Sequence, residues 1–150
     1  MGHQISALIA KAPIDTEAAR QFDLPVIIQN DFAIVGLDAA HSDHWSEELG
    51  LENTDFSEMI LDRPVTHEFA LRLGMERYAL IETDYFGGAG EQCAAVYHGS
   101  TIEMAATMGG INAALKLLGV KRRFNMDEFD TIGLGRHRSF GDQFQKYERF

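Results

Sequence analysis

Apolar residues recur along this chain at two different periods, and the change from one to the other marks out strands and helices. His3 to Lys11 alternates, with Ile5, Ala7 and Ile9 on one side, and predicts an opening strand. Pro13-Ile14-Asp15-Thr16 then opens a short helix through Phe22, with Asp15 or Thr16 as its N-cap. Pro25-Val26-Ile27-Ile28-Gln29 and Phe32-Ala33-Ile34-Val35-Gly36-Leu37 predict two more strands, turning at Asn30-Asp31. A helix over His41 to Leu49 would be capped by Ser42 or Asp43. A second helix, Val65 to Leu73, starts behind Pro64 and stops at Gly74.

Arg77 to Phe86 and Gln92 to His98 read as a hairpin, which Thr101 to Ala106 extends. In the next segment Ile111, Ala114, Leu115 and Leu118 fall on one helix face, and Gly119 supplies the stop. Met126 to Ile132 predicts a last short helix with Asp127, Glu128 and Asp130 in its early turns, where negative charge is favoured. Strands and helices mixed without regular βαβ alternation predict a single α+β domain over residues 1–150, a mainly antiparallel sheet with three to four helices packed on it.

A chain of 150 residues suffices for one domain that buries about two thirds of its unfolded surface. Nothing in it approaches the roughly 20 apolar residues of a membrane-spanning helix. The opening Met1-Gly2-His3-Gln4-Ile5 lacks the basic region of a secretory peptide, and the single Cys93 excludes an intrachain disulfide. Cytoplasmic residence is therefore expected, with no membrane partner.

Net charge changes the functional picture. The formal charge is −10, and before residue 61 the only Lys or Arg are Lys11 and Arg20, while bases outnumber acids after residue 114. Nucleic-acid binding draws its affinity from cationic side chains on phosphate, so such a partner is disfavoured. A basic protein partner suits the field better, although acidity also serves solubility alone.

Candidate chemistry is sparse. Three glycines in four positions (Gly87, Gly88, Gly90) sit at the tip of the predicted hairpin beside Asp84 and Glu91. No Lys-Ser/Thr follows them, and the segment behind them is a strand rather than a helix, so they do not form a phosphate loop or a dinucleotide fingerprint. A tight structural turn is the simpler reading; the functional one has the hairpin present Asp84, Glu91 and Gln92 to a partner. His41 and His44 share a helix face at a metal-ligand spacing, but no third ligand is marked and solvated side chains are the plainer reading. Cys93 lies within an apolar strand and is expected to be a buried, inert thiol rather than a nucleophile with His98 or His137 as base. Trp45, the one tryptophan, fits either a core anchor or an interface aromatic. Gly133-Leu134-Gly135-Arg136-His137-Arg138 suggests a turn delivering two guanidinium groups, either to an anion or internally to Glu82, Asp84 or Glu91.

Two of these stretches together, Glu82-x-Asp84-Tyr85-Phe86-Gly87-Gly88-x-Gly90-Glu91-Gln92 and Glu128-Phe129-Asp130-x-x-Gly133-Leu134-Gly135-Arg136-His137-Arg138, resemble a widespread family of small bacterial proteins over nearly the whole chain. That resemblance implies no catalytic residue. Size, acidity and α+β character are also similar to the immunity proteins of bacterial toxin systems, including contact-dependent growth inhibition. The implied function is a protein that binds and neutralises a basic toxin domain, a nuclease by this reading. The expected contact residues are Asp38, Asp43, Trp45, Glu47 and Glu48, with Asp84 and Glu91 second. The alternative is a small-ligand binder or enzyme with a pocket formed by Glu82, Tyr85, Gln92, Arg136, His137 and Arg138, in which His137 serves as acid or base. No cofactor or metal is implied.

Overall fold

The computed structural model describes residues 3–86, 89–121, 127–132, 134, 140 and 144–147. Its centre is a six-stranded, wholly antiparallel sheet in the order β2-β3-β1-β4-β5-β6, built from β1 (His3–Lys11), β2 (Val26–Gln29), β3 (Phe32–Leu37), β4 (Arg77–Phe86), β5 (Ala89–His98) and β6 (Thr101–Met108). Among the described residues it is accompanied by the helices α1 (Thr16–Gln21), α2 (Ala39–Glu48), α3 (Pro64–Arg72), α4 (Ile111–Leu117) and α5 (Glu128–Thr131). The expected α+β architecture is thus the observed one.

Period-two alternation sends each strand's side chains to two cores. Ile5, Ala7, Ile9, Ala79, Ile81, Ala94 and Val96 face α4 together with Ile132, Leu134, Phe140 and Phe144. Leu8, Ala10, Leu80, Cys93 and Ala95 face the opposite layer, where α1 contributes Ala19 and α3 contributes Val65, Phe69 and Ala70. Covering both faces explains why β3 is buried along all six residues and reads as an unbroken apolar run. Each large side chain in these layers, Phe69 and Leu115 among them, stabilises the fold by about 1.5–3 kcal/mol relative to exposure.

Local chemistry fixes the element ends. Asn30 and Asp31 both take positive φ (52° and 68°), as a two-residue turn between β2 and β3 requires. Asp15 caps α1 by accepting the Ala18 N–H at 3.0 Å. Helix α2 begins earlier than its polar residues suggest: Asp38, not Ser42 or Asp43, is the cap and accepts the His41 N–H at 3.1 Å. Ser42 is fully buried inside the helix. Strand β5 also starts sooner than the glycines suggest, at Ala89 rather than Gln92, with Phe86 opposite Ala89. Gly87 and Gly88 at that tip lie outside the described residues.

Candidate functional site

Between α2 and α3 the chain runs from residue 49 to residue 63 without regular structure. Ser, Thr, Asn and Asp are dense here and offer the backbone side-chain partners in place of a ladder, while Pro64 keeps its predecessor out of the helix. The segment is nevertheless held firmly. Ile60 is buried, and the Phe56 N–H donates to the Asp62 carbonyl at 2.7 Å. The largely buried Arg63 guanidinium donates to Asp55 at 2.7 Å and to Asp43 at 2.8 Å, tying the segment back to α2. Thr66 donates its hydroxyl to the Leu61 carbonyl at 2.9 Å. The result is a rigid wall standing on the α3 side of the sheet, with Phe56 (59% exposed) and Met59 (41%) turned to solvent.

On one side of the wall lies a cleft of about 1150 Å³ lined by Phe56, Met59, Leu71, Met75, Ile102 and Ala106. Two register shifts in the β5–β6 pairing re-aim β6, so that Ile102 pairs with Tyr97 while Met104 pairs with Val96 on the other face. Those shifts are why β6 sends Ile102 and Ala106 to the cleft and Met104 to the opposite core.

At the floor sits a four-residue hydrogen-bonded chain. Asp62, only 2% exposed, accepts from His67 Nε2 at 2.6 Å and from the Tyr97 hydroxyl. A carboxylate can only accept, so His67 carries its ring proton on Nε2. In that tautomer Nδ1 is a lone pair, and the Tyr78 hydroxyl donates to it at 2.5 Å. Burial, reinforced by the Asp62 charge, pushes the Tyr78 phenol up to about 12. Burial also pushes Tyr97 upward, and its bond to Asp62 adds to the effect. Both phenols are therefore protonated donors at neutral pH.

On the other side of the wall is a recess of about 640 Å³ whose lining includes Asp38, Asp55, Glu58 and Glu82. Burial raises the Glu82 pKa from its ordinary value, with the Ser6 hydroxyl bond opposing and the neighbouring Asp84 charge adding.

The residues singled out from sequence fall into different places. Asp38 caps α2, and Asp43 binds both Arg63 and Asn53. Trp45 is half-buried and packs edge-on against Phe22 at 5.0 Å, within the core under α3, rather than standing as an exposed aromatic. Glu47 and Glu48 are exposed on α2. Asp84 and Glu91 are exposed and directly opposite one another in the β4–β5 ladder. The Gln92 side chain accepts the Ile111 N–H at 3.1 Å and so supports the start of α4. Glu82 lines the acidic recess. The Tyr85 side chain and the segment Arg136, His137 and Arg138 lie outside the described residues.

His41 is not solvated: it is fully buried, donates Nε2–H to the Phe22 carbonyl at 2.6 Å, and packs against Phe69, Phe144 and Tyr147. Among the described residues no group of three His, Cys, Asp or Glu is placed to hold a metal. Cys93 is a buried free thiol whose pKa burial raises, which makes it unreactive.

Sequence reasoning did not find the Asp62, His67, Tyr78 and Tyr97 group. Its signal is the hairpin register: once β5 begins at Ala89, Tyr78 falls directly opposite Tyr97. No family model, curated protein or solved structure matches the chain, and no helix among the described residues is long and apolar enough to cross a membrane.

Proposed function

We propose that the chain is an immunity-type interaction protein that binds a basic toxin domain and covers the surface on which that toxin receives nucleic-acid phosphates. The observation that carries this reading is the wall between α2 and α3. It offers Phe56 and Met59 as an apolar centre, with the carboxylates of Glu58 and the adjoining recess as an anionic border. Exposed apolar side chains bordered by charge are what protein contact sites present, since the centre supplies desolvation energy and the rim supplies orientation. The net charge of −10 selects a basic partner and speeds the encounter. This moves the contact face away from Trp45, which is occupied by core packing, toward the wall beside it.

The test is titration calorimetry of the chain against a basic toxin domain encoded beside it, at about 50 and 300 mM salt. Nanomolar binding that weakens at the higher salt, and that falls at least tenfold on Phe56→Ala or Glu58→Lys, is the expected result. Absence of binding, together with failure of co-expression to rescue cells from that toxin, rejects the reading.

A further inference from the structure

The cleft on the far side of the wall is built to receive a different kind of occupant. Its floor has spent its protons internally. Tyr97 donates to Asp62, His67 donates from Nε2 to Asp62, and Tyr78 donates to His67 Nδ1. What these groups turn outward is therefore phenol lone pairs and aromatic surface. The rings form a partial cage: Tyr78 and Tyr97 stack at 5.7 Å and 23°, His67 stands edge-on to Tyr97 at 4.6 Å, and Phe56 lies 6.3 Å from His67.

Charge on the lining has one sign. Glu58 and Asp62 contribute carboxylates, and no Lys or Arg is among the described residues that line the cleft. An anion would meet like charge without a floor donor to compensate it. A neutral polar ligand would find acceptors on the floor and, for its own acceptor atoms, only the Ser57 and Ser100 hydroxyls elsewhere on the lining. A cation gains the carboxylate field, the lone pairs and the ring faces together, the combination by which aromatic cages hold ammonium groups. Apolar side chains, chiefly Met59, Leu71 and Ile102, make up the rest of the walls, so the cation must carry an apolar body. The two β6 register shifts that turn Ile102 and Ala106 into this space bring the apolar wall over the aromatic floor.

We infer that the cleft is a binding site for an organic cation with an apolar body, its ammonium head seated against Tyr97 and Tyr78 in the field of the buried Asp62 carboxylate and its body lying along Met59, Leu71 and Ile102. The cleft shares Phe56, Glu58 and Met59 with the contact face proposed above, but it is read by small-molecule binding to the isolated chain, so its failure and the failure of the partner reading are separate results.

Three probes with one apolar body and different heads test it by calorimetry on the intact chain: 4-phenylbutyltrimethylammonium, 4-phenylbutanol and 4-phenylbutyrate. The ammonium probe binds at least about tenfold more tightly than the alcohol, and the carboxylate does not bind measurably. Tyr97→Leu brings the ammonium and alcohol probes to similar affinity. Ile102→Lys, at a position 58% exposed and so harmless to folding, weakens the ammonium probe by about tenfold or more. Equal affinity for all three probes, no binding of any of them, or an unchanged ammonium affinity in Ile102→Lys overturns the inference.

Discussion

Tyr78 and Tyr97 face each other directly across the β4–β5 hairpin with their rings stacked, yet their hydroxyls go to different acceptors, Tyr78 to His67 and Tyr97 to Asp62. One cross-strand pair thus feeds both ends of the Asp62–His67 bond and locks the wall and α3 to the sheet.

The two phenols should differ in worth. Tyr97→Phe leaves a lone pair of the almost fully buried Asp62 without its donor, a loss of about 1–3 kcal/mol, or a Tm lower by roughly 3–10 °C in a domain of this size. Tyr78→Phe orphans His67 Nδ1 on a side chain that is 28% exposed and within reach of water, so it costs about 0.5–1.5 kcal/mol. Thermal melts of both variants check the order; a Tyr97→Phe variant as stable as the parent removes the network's structural role.

Much of this architecture was legible beforehand because its causes are local. Alternation marked β1 and β3, Asn30-Asp31 marked a turn, and Pro64 and Gly74 bracketed α3. The start of α2 departs from the sequence expectation because Ser42, a good cap by type, is buried within the helix and Asp38 is the cap. The cleft stayed hidden for a different reason. Asp62 and His67 belong to an irregular segment and a helix, Tyr78 and Tyr97 to strands, and only the hairpin register and the β6 shifts bring them together. His41 misled because an exposed and a buried histidine look alike in sequence; its burial comes from Phe69 and Phe144, far along the chain.

Gly36 is fixed by close approach. A Cβ there would stand 2.7 Å from Phe140 Cγ and 2.9 Å from Pro25 Cγ, and neither the buried Phe140 ring nor the proline ring can swing aside. Gly36→Ala therefore costs about 1–3 kcal/mol, the usual range for overpacking. Urea denaturation measures it, and a loss below about 0.5 kcal/mol would mean that the C-terminal aromatic layer is loosely seated on β3.

His41 makes the fold acid-sensitive. Burial lowers its pKa in the folded chain, opposed mainly by the hydrogen bond to the Phe22 carbonyl. Below about pH 6.5 the unfolded chain takes up a proton on this ring that the folded chain refuses, so its contribution is complete above that pH and declines as pH falls toward the lowered value. The urea midpoint should drop between pH 7.5 and 5.5, and His41→Gln should flatten that part of the profile while lowering the midpoint at pH 7.5. An equal slope in both proteins assigns the acid sensitivity elsewhere.

Glu82 carries the opposite sign. Burial first, with the Asp84 charge as a further cause, raises its pKa in the folded chain, so folding favours its protonated form. Its contribution is fully present below about pH 4.5 and is lost as pH rises through the raised value. At neutral pH the folded chain therefore holds a charge it would rather neutralise, in a recess shared with Asp38, Asp55 and Glu58. Glu82→Gln keeps an acceptor for the Ser6 hydroxyl and removes that repulsion. It should raise the urea midpoint at pH 7.5 and leave it near the parent's at pH 4. If the recess is where a basic partner inserts its charge, the same substitution weakens that complex while it stabilises the free chain. Stabilisation with undiminished partner affinity would separate the recess from the contact face, and a midpoint that falls at pH 7.5 would show that Glu82 is already neutralised from within the fold.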